Sequence, residues 1–177
     1  MSYGSIEAIK ERCKREGIEF WKAVQIEDCS ERAVSEESSW KEMTRMWQIM
    51  CENVDTYEPE RISRSGLVGK EGGLMEEYQK KGDTLCGNFM AKVMTVALKM
   101  GCNNACMKRI IAAPTAGACG VLPAVLVPFF KEYEVPEEKM VVAMYVAAGV
   151  GQVIANRAFL AGAAGGCQAE IGSGSAM

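Results

Sequence analysis

The chain reads as all-α, and three observations carry that reading. No stretch sustains the every-second-residue alternation of a half-buried strand. Trp40, Met43, Trp47, Met50, Cys51 and Val54 instead recur at three- and four-residue steps, which places them on one face of a helix. Helix punctuation also recurs: serines stand where N-caps belong, a glycine where a helix stops, and a proline where one starts.

In chain order, Ser5 to Arg15 is expected to form a short amphipathic helix, closed by Gly17 because glycine takes the left-handed conformation cheaply. Ser35 caps the next helix, which carries the Trp40 stripe to about Asp55. Glu58 to Gly73 holds Pro59 and four glycines among polar residues and is expected as a loop able to line a site. Leu74 to Lys80 is a short helix. Gly82-Asp83-Thr84 then offers a turn and a cap for a long apolar helix from about Asn88 to Met107.

Ala112 to Gly120 is a second loop, followed by a helix over Val121 to Tyr133 that Pro123 and Pro128 bend or delay. Pro136 opens the next helix, to about Arg157, with Glu137 and Glu138 where the helix dipole favours negative charge. There is no internal repeat and no low-complexity linker.

At 177 residues and 49% hydrophobic, the chain is long enough for one core and too short to argue for two domains. A net charge of −3 gives no basic stripe, so neither nucleic acid nor an anionic membrane is expected as a partner. The N-terminal fifteen residues lack the apolar run of a secretory signal, which points to a cytoplasmic protein. Met140 to Gly151 is the longest apolar run, and Gln152, Asn156 and Arg157 interrupt it short of a bilayer span, so a buried core helix is expected. Eight cysteines in such a chain read as thiols or ligands rather than disulfides. Without histidine or a Cys-x-x-Cys pair, the common zinc patterns are excluded.

Two segments carry chemistry. Ala113-Pro114-Thr115-Ala116-Gly117-Ala118-Cys119-Gly120 joins two apolar helices through small residues. Such a loop can hold a carboxylate on backbone N–H groups, with the Thr115 hydroxyl adding a contact, or can be a tight interhelical turn. Gly165-Gly166-Cys167 places a thiol at the start of a helix, where the dipole favours a thiolate as nucleophile or metal ligand; the alternative is a cysteine buried in a tight turn.

The run Thr84-Leu85-Cys86-Gly87, then Ala112-Ala113-Pro114-Thr115-Ala116-Gly117, then Asn156, then Gly162-Ala163-Ala164-Gly165-Gly166-Cys167-Gln168-Ala169-Glu170-Ile171-Gly172-Ser173 resembles the α subunit of bacterial iron–sulfur L-serine dehydratase. The resemblance covers nearly the whole chain and is densest from Gly82 onward. It implies the N-terminal part of one α-helical catalytic domain over 1–177, with peripheral helices over 1–80 and the active-site scaffold over 81–177. It also implies a [4Fe–4S] cluster held by three cysteines, whose open iron acts as a Lewis acid on the serine hydroxyl, giving pyruvate and ammonia.

Carried over by residue, Cys167 is the first cluster ligand, and Pro114, Thr115, Ala116, Gly117 and Asn156 bind substrate. The family's other two cysteine ligands lie in segments that do not occur before Met177. The resemblance therefore implies that the remaining ligands lie beyond residue 177, that a β subunit completes the site, and that this chain alone is inactive. Cys119 lies in the substrate loop. Where the family carries an acidic residue before the retained Asn104, this chain has Cys102, which puts activity in doubt if that carboxylate matters. With no histidine, the base must come from another chain or from Lys108 or Glu170. Two other readings stay open: a related lyase acting on another small amino acid such as cysteine, and a non-catalytic fragment that binds a partner subunit.

Overall fold

The computed structural model describes residues 3–177, which form nine helices and no strand. The helices are α1 (Ile6–Glu16), α2 (Phe20–Arg32), α3 (Glu36–Asp55), α4 (Glu71–Lys80), α5 (Asn88–Ala105), α6 (Val121–Glu132), α7 (Glu137–Ala155), α8 (Gly162–Gly165) and α9 (Cys167–Ala176). They divide into two compact units, one made of the residues up to Trp47 together with Pro136–Met177, the other of Gln48–Val135.

In the first unit the expected punctuation is in place. The Ser5 hydroxyl accepts the Ala8 N–H, and Gly17 closes α1 at φ 66°. Ser35 accepts the Ser38 N–H at the start of α3. Helix α2 is an element that periodicity does not announce. Its N-cap, Glu19, makes no side-chain cap bond, and its C-cap is Ala33 rather than glycine, held at φ 53° with its N–H on the Cys29 carbonyl.

The core of this unit gathers Ile9, Ala23, Val24, Val141, Tyr145 and Val153, with Trp21, Trp40 and Met43 packed on it. Tyr145 is fully buried, and its hydroxyl meets Ser39 Oγ at 2.7 Å. Ser39 in turn donates to Asp28 at 2.6 Å, so the buried hydroxyls are satisfied. Helix α7 is long and apolar enough to cross a membrane by length and composition. Eight of its residues are buried, and it packs on α1, α2 and α9, as the expected core helix does. The approach of α2 depends on Gly149, where a Cβ would sit 2.5 Å from Val24 Cγ2.

In the second unit α5 packs between α4 and α6. Helix α4 begins at Glu71, three residues earlier than the sequence expectation, with Gly72 and Gly73 inside it. These glycines provide closeness rather than loop freedom. A Cβ on Gly72 would lie 2.9 Å from Lys99 Cγ and 3.0 Å from the Lys99 backbone, and one on Gly73 would lie 3.0 Å from Pro59. Helix α5 starts after Gly87 at φ 79° with no side-chain cap, so neither Asp83 nor Thr84 caps it. The Thr84 hydroxyl is buried and is without a hydrogen-bond partner among the described residues. Pro123 occupies the first turn of α6, where a missing N–H costs nothing, and Pro128 lies inside the helix.

Candidate functional site

Loop 106–120 leaves α5 at Cys106, turns through Met107 at φ 60°, and enters α6 after Gly120. Two successive asparagines near the end of α5 hold it at both ends. Asn103, buried, donates to the Asn53 carbonyl at 2.7 Å and to the Asn53 side chain, while Asn53 donates to the Arg109 carbonyl. Asn104 donates from Nδ2 to the Ala116 carbonyl at 2.9 Å.

The Pro114–Gly117 segment follows a cis Ala113–Pro114 bond. Its carbonyls are engaged in turns: Thr115 O accepts from Ala113 N and Ala118 N, and Ala116 O accepts from Cys119 N, each at 3.3 Å. Pro114 and Thr115 are half-buried, while Ala116 and Gly117 are exposed. Cys119 is buried at 1% exposure, and that burial pushes its thiol up from the usual range.

The 58–70 loop is tied to α4 and to the C-terminal end of α5. Tyr57 donates to the Gly69 carbonyl at 2.6 Å and accepts the Gly73 N–H at 3.0 Å. Arg61 reaches the Cys106 carbonyl at 3.2 Å. Cys102, the thiol that stands where an acid was expected, is buried and donates to Glu71. Burial raises this thiol, whereas the Gly69 N–H and its other donors hold the Glu71 carboxyl below its usual range.

Three ion pairs, Lys99–Glu76 at 2.7 Å, Lys92–Glu132 and Lys131–Asp55, rim a cavity of about 300 Å³ floored by Val54, Val96 and Val127. Each of these cations already faces a carboxylate. The cavity therefore presents no uncompensated charge to a ligand. Lys108, considered as a base, is paired with Glu58 at 2.8 Å and donates to the Thr56 carbonyl.

In the other unit, Cys167 is the first residue of α9 and is exposed, following Gly166 at φ 81°. Of the small residues before it, Gly165 is held to glycine by contact with backbone, whereas Gly162 faces the movable end of the Glu170 side chain. A Cβ on Gly162 would lie 2.6 Å from Glu170 Oε2, and one on Gly165 would lie 2.9 Å from both the Phe159 carbonyl and Ala169 Cβ. The short α8 thus folds back on the first turn of α9 and leaves the thiol at the surface. Asn156, the C-cap of α7, donates from Nδ2 to the Tyr3 carbonyl at 2.9 Å, and Arg157 donates to the Gly4 carbonyl at 2.7 Å. Here Asn156 ties the end of α7 to the N-terminal segment.

Among the described residues no three His, Cys, Asp or Glu side chains come together as a metal site. A four-iron cluster with three protein ligands needs three thiolates, so the residues of this chain do not by themselves fit one. The sequence singled out Cys167 and the Pro114–Gly117 loop by composition. It did not reveal the grip of Asn104 on that loop, because a hydrogen bond twelve residues along the chain has no periodic signature.

The serine dehydratase alpha chain family model matches residues 15–177. The L-serine dehydratase alpha chain of Peptoniphilus asaccharolyticus is 32% identical over 93% of this chain and 57% of its own length. A probable L-serine dehydratase alpha chain of Bacillus subtilis is 37% identical over 65% of this chain and 38% of its own. One from Latilactobacillus sakei is 46% identical over 42% of this chain and 35% of its own. The chain thus spans about half or less of the length of these curated relatives. No solved structure matches it. With the match running from the third turn of α1 through Cys167 to α9, the chain belongs to the serine dehydratase α-chain family.

Proposed function

We propose that this chain is part of an L-serine dehydratase α subunit, an ammonia-lyase that converts L-serine to pyruvate and ammonia. The observation that carries this reading is the exposed Cys167 at the head of α9, set there by a small-residue turn. The names of the curated relatives supply the substrate.

Cys167 is the one thiolate this chain brings to a [4Fe–4S] cluster, and the remaining ligands come from outside residues 1–177. A β partner completes the assembly and supplies the base. The Pro114–Gly117 loop receives the substrate, and Asn156 keeps the end of α7 in place. All eight cysteines are free thiols, which supports a reducing, cytoplasmic setting.

Anaerobic iron–sulfide reconstitution tests this, with the chain alone and co-expressed with the remaining α segment and the β subunit of a relative. Visible absorbance of the cluster and pyruvate formation from L-serine in the assembly, both lost in Cys167→Ala, are expected. An assembly that forms the cluster equally well without the Cys167 thiol overturns the assignment.

A further inference from the structure

We infer that the outer face of the α5–α6 hairpin seats an apolar helix from the part of the α subunit outside residues 1–177. The inference rests on the dehydratase reading for the identity of that occupant.

Helices α5 and α6 run antiparallel. Phe89, at the start of α5, meets Tyr133, at the end of α6, with ring centroids 6.1 Å apart, and Gly120, just before α6, lies against Ala97 and Met100. Lys92, Val96 and Lys99 of α5 and Val127, Lys131 and Glu132 of α6 line the ion-paired cavity. At about 100° per residue, Met90, Met94 and Leu98 therefore lie on the opposite side of α5, one turn apart, and Val125, Phe129 and Tyr133 do the same on α6. These six side chains are each 38–60% exposed. Phe129 touches Tyr133 at 4.9 Å between centroids, so with Phe89 the rings join the two stripes into one patch.

The patch is free of charge. Lys92 and Lys99 are the charged residues of α5, Lys131 and Glu132 those of α6, and all four stand on the cavity side. A helix face meant for water carries polar groups, whereas methionine and aromatic residues without charge are the composition of an interface core. Side chains of this size and exposure present about 550 Å² of apolar surface, near the upper end for the largest patch on a monomer. Two copies set face to face would bury about 1,100 Å², short of the ~1,200 Å² at which stable complexes begin. A segment of the same subunit needs less area, because docking costs it less freedom than it costs a separate molecule. More than two-fifths of the length of the relative that aligns over 93% of this chain lies outside the match, so such a segment is at hand in the family. Two ridges of side chains on helices ~8–10 Å apart leave a groove that takes one helix, and the flexible thioethers of Met90 and Met94 adapt to its surface.

Methionine oxidation by hydrogen peroxide tests the seat. It is applied to the chain as it stands and to the chain continued after Met177 with the remaining α segment of a relative, with and without the β subunit. Peptide mass mapping is expected to show Met90 and Met94 oxidised readily in the first and at least tenfold more slowly in the second. Phe129→Glu is expected to leave the thermal midpoint of the chain alone unmoved and to restore oxidation of both methionines in the continued chain. Protection that persists in Phe129→Glu overturns the seat. Unprotected methionines in the continued chain overturn it as well, even where that chain forms pyruvate with its β subunit. Protection without pyruvate leaves the seat standing and overturns the dehydratase reading. Protection that rises with the concentration of the chain alone assigns the face to a second copy and overturns the segment as its occupant.

Discussion

Cys102 on α5 donates its thiol to Glu71 Oε2 at 3.2 Å, and the same oxygen accepts the Gly69 N–H at 2.8 Å. One carboxylate thus joins the end of the 58–70 loop, the first residue of α4 and the side of α5. The exchange of an acid for a thiol at 102 makes local sense here, because a second carboxylate facing Glu71 would have repelled it, whereas a thiol donates to it.

The Glu71 carboxyl is held below its ordinary range chiefly by the Gly69 N–H. A carboxylate whose folded pKa is depressed stabilises the fold above its unfolded pKa, and that contribution is lost as pH falls through the folded value. Glu71→Gln is therefore expected to lower the urea midpoint at neutral pH. The difference from the parent chain shrinks as pH drops below the usual glutamate range. A difference that stays constant with pH assigns the effect to shape rather than charge.

Two glycines in adjacent helices are predicted to respond with opposite sign. At Gly72 a Cβ meets the backbone of Lys99 at 3.0 Å, and backbone cannot swing aside. Gly72→Ala is expected to cost about 1–3 kcal/mol by pushing α4 off α5. Gly101 in α5 is exposed and has nothing within 4 Å of its Cβ position. Gly101→Ala is expected to gain about 0.5–1 kcal/mol by removing backbone freedom from the unfolded chain. Denaturant unfolding of both variants measures the pair.

Much of the fold was legible because its signals are local. The Ser5 cap, the Gly17 stop, the Trp40 face and the Pro136 start each act within one turn of the residue that encodes them. Gly72 and Gly73 misled because a glycine that frees a turn and a glycine that admits a neighbouring helix look alike in a sequence. The same holds for the site. Cys167 and the Pro114–Gly117 loop stand out by composition, while the ties Asn104–Ala116 and Asn156–Tyr3 join residues 12 and 153 positions apart, which no local pattern encodes.

The cysteines are predicted to separate by burial under native alkylation. Cys86 and Cys167 are exposed, whereas Cys102, Cys106 and Cys119 are buried, with burial raising the thiols of Cys102 and Cys119. The thiolate is the reactive form, so iodoacetamide is expected to label the first two well before the last three. Peptide mass mapping at short times reads the order. Early labelling of Cys119 would show that the loop over it opens in solution.

The buried hydroxyl pair offers a test of the first unit's core. Tyr145→Phe removes the oxygen that meets Ser39 and leaves the ring stack on Trp40, at 6.0 Å between centroids, in place. Ser39 keeps its bond to Asp28, so the loss is a single hydrogen bond, about 1 kcal/mol. The double variant with Ser39→Ala should lose less than the sum of the two single changes, because both remove the same bond. Strict additivity in the cycle would show that the two hydroxyls do not interact.

Helix α2 escaped the sequence reading because its end is closed by Ala33, a residue with a Cβ, in a conformation that favours glycine. The φ of 53° is imposed by the bond from the Ala33 N–H to the Cys29 carbonyl and by the one from Val34 N to the same oxygen at 3.1 Å. An L-residue with a side chain is strained there by about 1 kcal/mol, and glycine is not. Against that gain stands the larger entropy glycine carries in the unfolded chain, about 0.5–1 kcal/mol. Ala33 is exposed, so no packing is lost when its methyl group goes. Ala33→Gly is therefore expected to be neutral to stabilising by up to about 0.5 kcal/mol, whereas alanine to glycine within the body of α2, at buried Ala23, destabilises clearly. Equal losses at the two positions would mean that α2 does not end in the left-handed turn.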